Sequence, residues 1–531
     1  MLRRGFNWLK KHRLAAALFV IGIISIVYQS GMLPPGLNQD EASIGYDAFA
    51  ILHYGVDRNG MFMPVHLIAW GSGQNALYAY LSMPFIYVFG LTVWSVRAAS
   101  MLLGLLSLVL LYAIGKRLFE GERGALIALF LGVVSPWHLM MSRWALESNL
   151  FPTLALLAFY FLLKGLEKNS WRWFAAFAAV MALCLYSYGT AYLFVPVFCG
   201  LAAVLLLYYK MLKPVSLLLY GGILTVLALP IAAFVWINRF DGDNIVTPLF
   251  SIPKLTVPRV EEISSVFSGQ GLTPLWNHAK SFLKLFLTGD DGLVWNAVPP
   301  YGYLYPIAVP FILFGIAYSF QLVWRSRSIG HALLLSWLAA AVMVALVTEI
   351  NINRINIIFY PLLLFAAGGI VPLWQRWRLA AMTAIISFGL FFAAFAAYYF
   401  TTYSEKLSMV FFESFGDAVS YASDQTDGTV YVTPSVNMPY IYVLFYERID
   451  PRDFADSVVY SNPGGAFQQV SSFGRYRFQH GEPQFGETAA YVYASGEVNA
   501  EQMEQNGYQV KRFKHYTVVV GGTRHGQPNA D

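Results

Sequence analysis

Apolar runs of about twenty residues recur along this chain, and no other feature limits its fold so tightly. A run of that length is what one α-helix needs to cross the hydrocarbon core of a bilayer. Candidate spans lie at 14–33, 97–116, 124–141, 150–166, 172–190, 191–209, 215–237, 303–323, 330–348, 355–373 and 379–400. Only 12% of the 531 residues are charged, against about 25% in a soluble domain, and the mean hydropathy is +0.52. The expected class is therefore an all-α polytopic membrane protein. The net charge of +5 does not call for nucleic acid, because Lys and Arg gather in short loops where they orient spans. Cys184 and Cys199, the only cysteines, sit inside apolar runs and read as packing groups rather than a disulfide or metal site.

The opening "MLRRGFNWLKKHRLAAALFVIGIISIVY" has the basic and apolar regions of a signal peptide but no small-residue cleavage site after them. It reads as an uncleaved first span, with Arg3, Arg4, Lys10, Lys11 and Arg13 holding the N-terminus cytoplasmic. The stretch "NALYAYLSMPFIYVFG" at 75–90 is apolar but short and contains Pro84. If it crossed, the basic loops "GKRLFEGERG" and "KGLEKNSWRW" would face outward against the positive-inside bias. It is therefore expected to lie at the outer interface. About eleven transmembrane helices result by the twenty-residue criterion. They form a membrane domain over residues 1–400, with long outer loops at 34–96 and 238–302. Residues 401–531 have soluble composition and read as a small extracytoplasmic α/β domain. Its expected strands are "GTVYVTPS", "YIYVLFY", "AAYVYASG" and "YTVVVGG", with a helix over 408–424.

The span interiors hold essentially no ionisable residues, which argues against an ion-coupled transporter or proton relay. Charge collects at outer span ends and in outer loops: Asp40, Glu41, Asp47, Asp57 and Arg58, then Arg143 and Glu147, then Arg239, Asp241 and Asp243, then Glu349 and Arg354. Asp40 and Glu41 begin a segment in which Ile44, Asp47, Ala48 and Ile51 repeat at helical spacing. The bland reading of Asp40 is a helix cap. The chemical one is a carboxylate placed to take a proton from an attacking hydroxyl. The polar stretch "GVDRNGMFMPVHLIAWGSGQN" adds Arg58 and His66, the latter more often structural than functional. In "SPWHLMMSRWALESN", Arg143 and Glu147 are spaced as an i, i+4 helical pair, or Arg143 holds a lipid phosphate in its fork. Arg354, flanked by Asn351, Asn353 and Asn356, is either a snorkelling anchor or a second phosphate ligand. No Walker loop, zinc spacing or Ser-His-Asp pattern stands out, and the inner loops are too short to build a site for a nucleotide-activated donor.

A first span leading into "DEASIGYDAFAIL" resembles the first outer loop of the C-type (GT-C) glycosyltransferase superfamily. It is most similar to bacterial members related to protein O-mannosyltransferases and to the aminoarabinose transferase that modifies lipid A. "FGLTVWSVRAASMLLGLLSLVLLYAIGKRLF", "SPWHLMMSRWALESN" and "NRINIIFYP" fit the same layout, over roughly residues 14–400. The resemblance implies transfer of a sugar from a polyprenyl-phosphate carrier, on the outer face and with inversion, to a protein, glycolipid or wall-polymer acceptor. It makes Asp40 the general base, with Glu41 supporting it, and Arg143 and Arg354 ligands of the lipid phosphate. Arg58, His66, Glu147 and Asn353 join the substrate-binding candidates. No cofactor is required, although acidic pairs attract divalent cations. Two other classes stay open: a transporter or flippase for a lipid-linked saccharide, and a non-enzymatic membrane scaffold.

Overall fold

The computed structural model describes residues 12–71, 73–119, 121–256 and 273–521. The basic residues Arg3, Arg4, Lys10 and Lys11, and 257–272 of the second outer loop, lie outside these ranges. Eight helices among the described residues are long and apolar enough to cross a membrane: Val93–Leu118, Glu147–Lys168, Ala191–Tyr208, Pro214–Arg239, Ala308–Ser326, Ile329–Val347, Ile352–Arg376 and Arg378–Ser408. The remaining expected spans are shorter helices. α1 (Arg13–Val27) has 15 residues and Trp171–Cys184 has 14. The expected span at 124–141 is broken into Glu122–Val133 and Pro136–Met141. Pro136 supplies no N–H to the preceding helix and restarts a new one at its first position. The Ser135 hydroxyl caps that restart, accepting from the His138 amide.

The chain falls into two compact units. One comprises Met1–Ser30, Ala99–Val235 and Arg259–Tyr403 and is a bundle of apolar helices. Its tightest packing joins Ala308–Ser326 to Phe359–Arg376, where glycine lets the backbones touch. A methyl group at Gly315 would run into the Phe365 carbonyl, and one at Gly369 into that of Phe311.

The other unit comprises Gly31–Ala98, Trp236–Pro258 and Ser404–Asp531. It contains α2 (Gln39–Tyr54), α3 (Leu77–Phe89) and the first residues of α4 (Val93–Leu118). The stretch set aside at 75–90 forms the 13-residue α3, which carries Pro84 and is too short to count among the long apolar helices. Two small antiparallel ladders follow. One pairs β1 (His66–Leu67) with β2 (Gln74–Asn75), and the other pairs β3 (Ile245–Val246) with β4 (Ser251–Ile252). The tail builds a seven-stranded sheet from β5 (Thr429–Val432), β6 (Val459–Tyr460), β7 (Val470–Phe473), β8 (Tyr476–Arg477), β9 (Ala489–Ala494), β10 (Gln509–Arg512) and β11 (Tyr516–Val520). Their spatial order is β10-β11-β9-β5-β8-β7-β6. β5 runs parallel to both β8 and β9, while every other pairing in the sheet is antiparallel. Tyr431 and Tyr491, directly opposite in register, stack with ring centroids 4.9 Å apart.

Three of the four expected strands form, and the expected helix is present as Phe415–Asp424. "YIYVLFY" does not form a strand; it is the helix Pro439–Glu447. Residues 440–445 are all buried, so the run shows neither period. An apolar stretch buried on every side looks the same in strand and helix. Pro439 at the first turn decides the matter locally.

Candidate functional site

The start of α2 is organised by Asn38, not by Asp40. The Asn38 side chain accepts from the Asp40 amide at 2.7 Å, and the Asn38 backbone N–H donates to Glu41 Oε2 at 3.1 Å, closing a capping box. Asp40 is therefore released from cap duty. Its Oδ1 accepts from the indole Nε1 of Trp70 at 2.8 Å, in a residue that is half-buried. Loss of water around it raises its pKa above the usual carboxylate range, and the neighbouring Glu41 adds to the rise. The Trp70 hydrogen bond and the Arg58 charge pull the other way.

Glu41, one position on, is 0% exposed, as is Arg97. The two form a bidentate pair: Nε to Oε1 and Nη2 to Oε2, both at 2.8 Å. Arg97 also donates to the carbonyls of Pro34 at 2.7 Å and Gly36 at 2.8 Å, tying the incoming chain to the first turn of α2. With both Glu41 oxygens so engaged, the acidic pair does not offer two free carboxylates to a cation. Among the described residues no group of three or more His, Cys, Asp or Glu side chains could hold a metal ion.

Arg58 stands on the other side of Trp70. It is 3% exposed, and its guanidinium lies 5.2 Å above the Trp70 ring. Nη2 donates to Ser43 Oγ at 2.7 Å and lies 3.4 Å from Asp47 Oδ2. Ser43 donates to Gln74 Oε1 at 2.6 Å, and the Gln74 amide reaches the Asp40 carbonyl at 3.4 Å, so a ring of contacts returns to Asp40. Nη1 makes no hydrogen bond among the described residues, and Arg58 lines a cleft with Asn59, Trp70, Tyr440, Tyr460 and Gln468. Asp57, next to Arg58, is buried and accepts from the Asn59 and Met61 amides at 2.9 Å; burial pushes its pKa up to about 7. His66 is buried on β1 opposite Asn75, against Gly73. Gly73 has φ +72, and a Cβ there would meet His66 Nε2 at 2.9 Å, so glycine is required to close this ladder.

Asp40, Glu41, Arg58 and His66 thus fall in one unit, while Arg143, Glu147, Asn353 and Arg354 belong to the helical bundle. Arg143 is 0% exposed, and Nη1 donates to the carbonyls of Ser25, Ile26 and Tyr28 at 2.6 to 3.0 Å, clamping the end of α1. The expected i, i+4 pairing with Glu147 has no helix to stand on. Pro136–Met141 ends before Arg143, and Leu146 is extended ahead of the turn Glu147–Asn149. The segment leading into the turn is held by side-chain donors: the Trp144 carbonyl accepts from Ser100 at 2.8 Å and from Asn149 at 2.8 Å. Arg354 pairs with the exposed Glu349 at 2.8 Å, and its amide is capped by Asn351 at 2.9 Å. Asn353 lies on the same short helix, Ile352–Ile355.

Sequence reasoning assigned no role to Arg97, Trp70, Ser43 or Gln74. Hydropathy places Arg97 at the first residue of the expected span 97–116. A guanidinium at the apolar end of a long helix needs an acid or carbonyls close by, and that requirement is the signal that could have pointed to Glu41.

Residues 75–236 match the family described as dolichyl-phosphate-mannose-protein mannosyltransferase. No curated protein matches the chain by sequence. Among solved structures, the fold is similar to that of ArnT from Cupriavidus metallidurans bound to undecaprenyl phosphate, with a TM-score of 0.55, 13% identity, and 97% of this chain and 98% of that one covered. The apo state of the same protein gives a TM-score of 0.52 at 13% identity, with 98% of both chains covered. The apo oligosaccharyltransferase of Archaeoglobus fulgidus gives 0.50 at 13% identity. There 84% of this chain is covered, but it spans only 64% of the archaeal enzyme's length. At these identities the likeness is one of fold, shared with the ArnT structures over nearly the whole length of both chains.

Proposed function

We propose that this protein is a membrane glycosyltransferase that moves a sugar from a polyprenyl-phosphate carrier to a hydroxyl-bearing acceptor, with Asp40 as the general base. The observation that carries the reading is the state of Asp40. Helix capping is done by Asn38, which leaves Asp40 half-buried, its carboxylate oriented by an indole N–H at 2.8 Å and made more basic by its surroundings. A raised pKa is what a base working near neutrality needs. In the proposed step the acceptor hydroxyl attacks the anomeric carbon and its proton passes to Asp40. The bond from that carbon to the phosphate oxygen breaks, and polyprenyl phosphate leaves with the bonding electrons. One displacement of this kind inverts the anomeric centre.

A phosphate leaving group needs charge stabilisation rather than a proton. In the unit that holds Asp40, Arg58 supplies it: the guanidinium is held by Ser43, Asp47 and the Trp70 face, its Nη1 is buried with no hydrogen bond among the described residues, and the side chain lines the cleft. In the helical bundle, Arg354 suits lipid phosphate better than Arg143 does. The Arg354–Glu349 pair is solvent-exposed and worth at most about 1 kcal/mol, whereas a headgroup at Arg143 would have to displace three carbonyls. Glu41 acts in this scheme as a positioning residue, holding the start of α2 through Arg97. We further assign residues 401–531 to the outer face, consistent with their soluble composition.

The test uses purified full-length protein and a labelled polyprenyl-phosphate sugar, with release of free polyprenyl phosphate as the readout. Asp40→Asn is expected to abolish transfer while leaving expression and melting temperature unchanged. Wild-type release with near-normal release by Asp40→Asn would reject Asp40 as the base. Movement of intact donor across a bilayer without its cleavage would favour a flippase instead.

A further inference from the structure

The sheet of the tail carries a second concavity that the reaction above does not use. β5 is parallel to β8 on one side and β9 on the other, so three strand ends point the same way. The crevice outside the carboxyl ends of parallel strands is where open α/β sheets hold their ligands. Here the connection leaving β5, Pro434 to Met438, forms one wall. β7 and residues beside β6 and β8 form the other. Together they form an open groove of about 400 Å³.

The groove is uncharged and mixed in polarity. Ser435, Asn437, Gln469 and Ser471 supply hydroxyls and amides, Tyr440 and Phe478 supply aromatic rings, Pro434, Val436, Met438, Pro439 and Val470 supply apolar surface, and no lining residue carries a formal charge. Hydroxyl and amide groups donate and accept at once, which matches a ligand whose own hydroxyls do both. Aromatic faces complement the apolar C–H faces of such a ligand. A phosphorylated or carboxylated ligand would instead need lysine or arginine in the wall. The groove also communicates with the site. The Asn437 side-chain amide hydrogen-bonds to Gln39, the residue before Asp40. Tyr440 lines both the groove and the Arg58 cleft.

We infer that this groove binds an uncharged oligosaccharide, the glycan portion of the acceptor, and presents one of its hydroxyls toward Asp40. The acceptor role rests on the function proposed above; saccharide binding does not.

The experiment titrates full-length protein in nanodiscs with neutral tetrasaccharides built from hexoses and from N-acetylhexosamines. A sulfated oligosaccharide and a serine-rich peptide serve as comparisons, and saturation-transfer NMR is the readout. At least one neutral tetrasaccharide is expected to bind, and Ser461→Trp, at an exposed groove position, should weaken it by about tenfold or more. Gln469→Ala should weaken the same ligand without filling the groove. Hydrolysis of the lipid-linked donor by water should be unchanged in both variants. If no neutral saccharide binds a preparation that still hydrolyses donor, the groove assignment fails while the glycosyltransferase reading stands. Binding that Ser461→Trp leaves intact, or preferential capture of the sulfated probe or the peptide, also overturns it. Saccharide binding that is sensitive to Ser461→Trp in a protein that never cleaves donor upholds the groove and sinks the proposed reaction.

Discussion

The Trp70–Asp40 hydrogen bond is the contact on which the proposed chemistry depends most directly, and Trp70→Phe removes it while leaving an aromatic ring beneath Arg58. A hydrogen bond to an ionised group contributes about 1.5–3 kcal/mol. One pKa unit corresponds to about 1.36 kcal/mol, so full loss would raise the Asp40 pKa by about one to two units. Asp40 is partly exposed, and water can replace part of what the indole gave, which favours the lower figure of about one unit. The sign is fixed: the indole stabilises the carboxylate, so removing it makes Asp40 harder to deprotonate. The acid limb of kcat/KM should therefore move up by about one pH unit, with a fall of up to about tenfold at pH values below the new limb. Activity on the plateau above it should change much less. The assay is release of polyprenyl phosphate across pH 5–9 in membranes carrying the endogenous acceptor, with melting temperatures recorded in parallel. An acid limb that stays in place, or moves down, while the protein remains folded would refute the assignment of that limb to Asp40.

Two further outcomes follow from the same unit. Arg97→Met strands the buried Glu41 carboxylate and should cost about 3–5 kcal/mol in detergent unfolding. Adding Glu41→Gln, which preserves the capping-box geometry, should recover much of that loss; no recovery would mean that Arg97 acts mainly through Pro34 and Gly36. Asp57, with a pKa near 7 when folded, holds a proton that the unfolded chain releases from about pH 4 upward, so its contribution to stability falls as pH rises through 7. Asp57→Asn should accordingly narrow the difference in melting temperature between pH 6 and pH 8, and a wider difference would contradict the burial assigned to this carboxyl.

Much of this architecture could be read from hydrophobicity alone. The runs at 97–116, 215–237 and 355–373 are long enough that no other element fits them, and the matching helices lie within a few residues of those bounds. Where the reading failed, a local signal had to compete with a tertiary one. Pro136 splits the expected span at 124–141 because a single proline outweighs hydropathy averaged over eighteen residues. The Arg143–Glu147 spacing suggested a helical pair only because a continuous helix was assumed, and side-chain donors to the Trp144 carbonyl hold the chain in a turn instead. The partners of Asp40 were less accessible still. Trp70 and Gln74 lie thirty and more residues away, and only the closing of the β1–β2 ladder brings them back to α2.

The acidic pair shows how much the fold adds to such a motif. Asp40 and Glu41 are adjacent and chemically almost interchangeable, yet successive residues on a helix point about 100° apart and so meet different surroundings. The direction taken by Glu41 is filled by a two-pronged guanidinium and the Asn38 backbone amide, which engage both of its oxygens. The direction taken by Asp40 holds one indole donor and some solvent, which leaves a lone pair available and a pKa above the ordinary range. Two carboxylates with such different partners divide structural and chemical work between them in the proposed reaction. With Glu41 locked to Arg97, α2 begins at a fixed place, and in the proposed reaction that lets Asp40 be aimed without having to hold the helix itself.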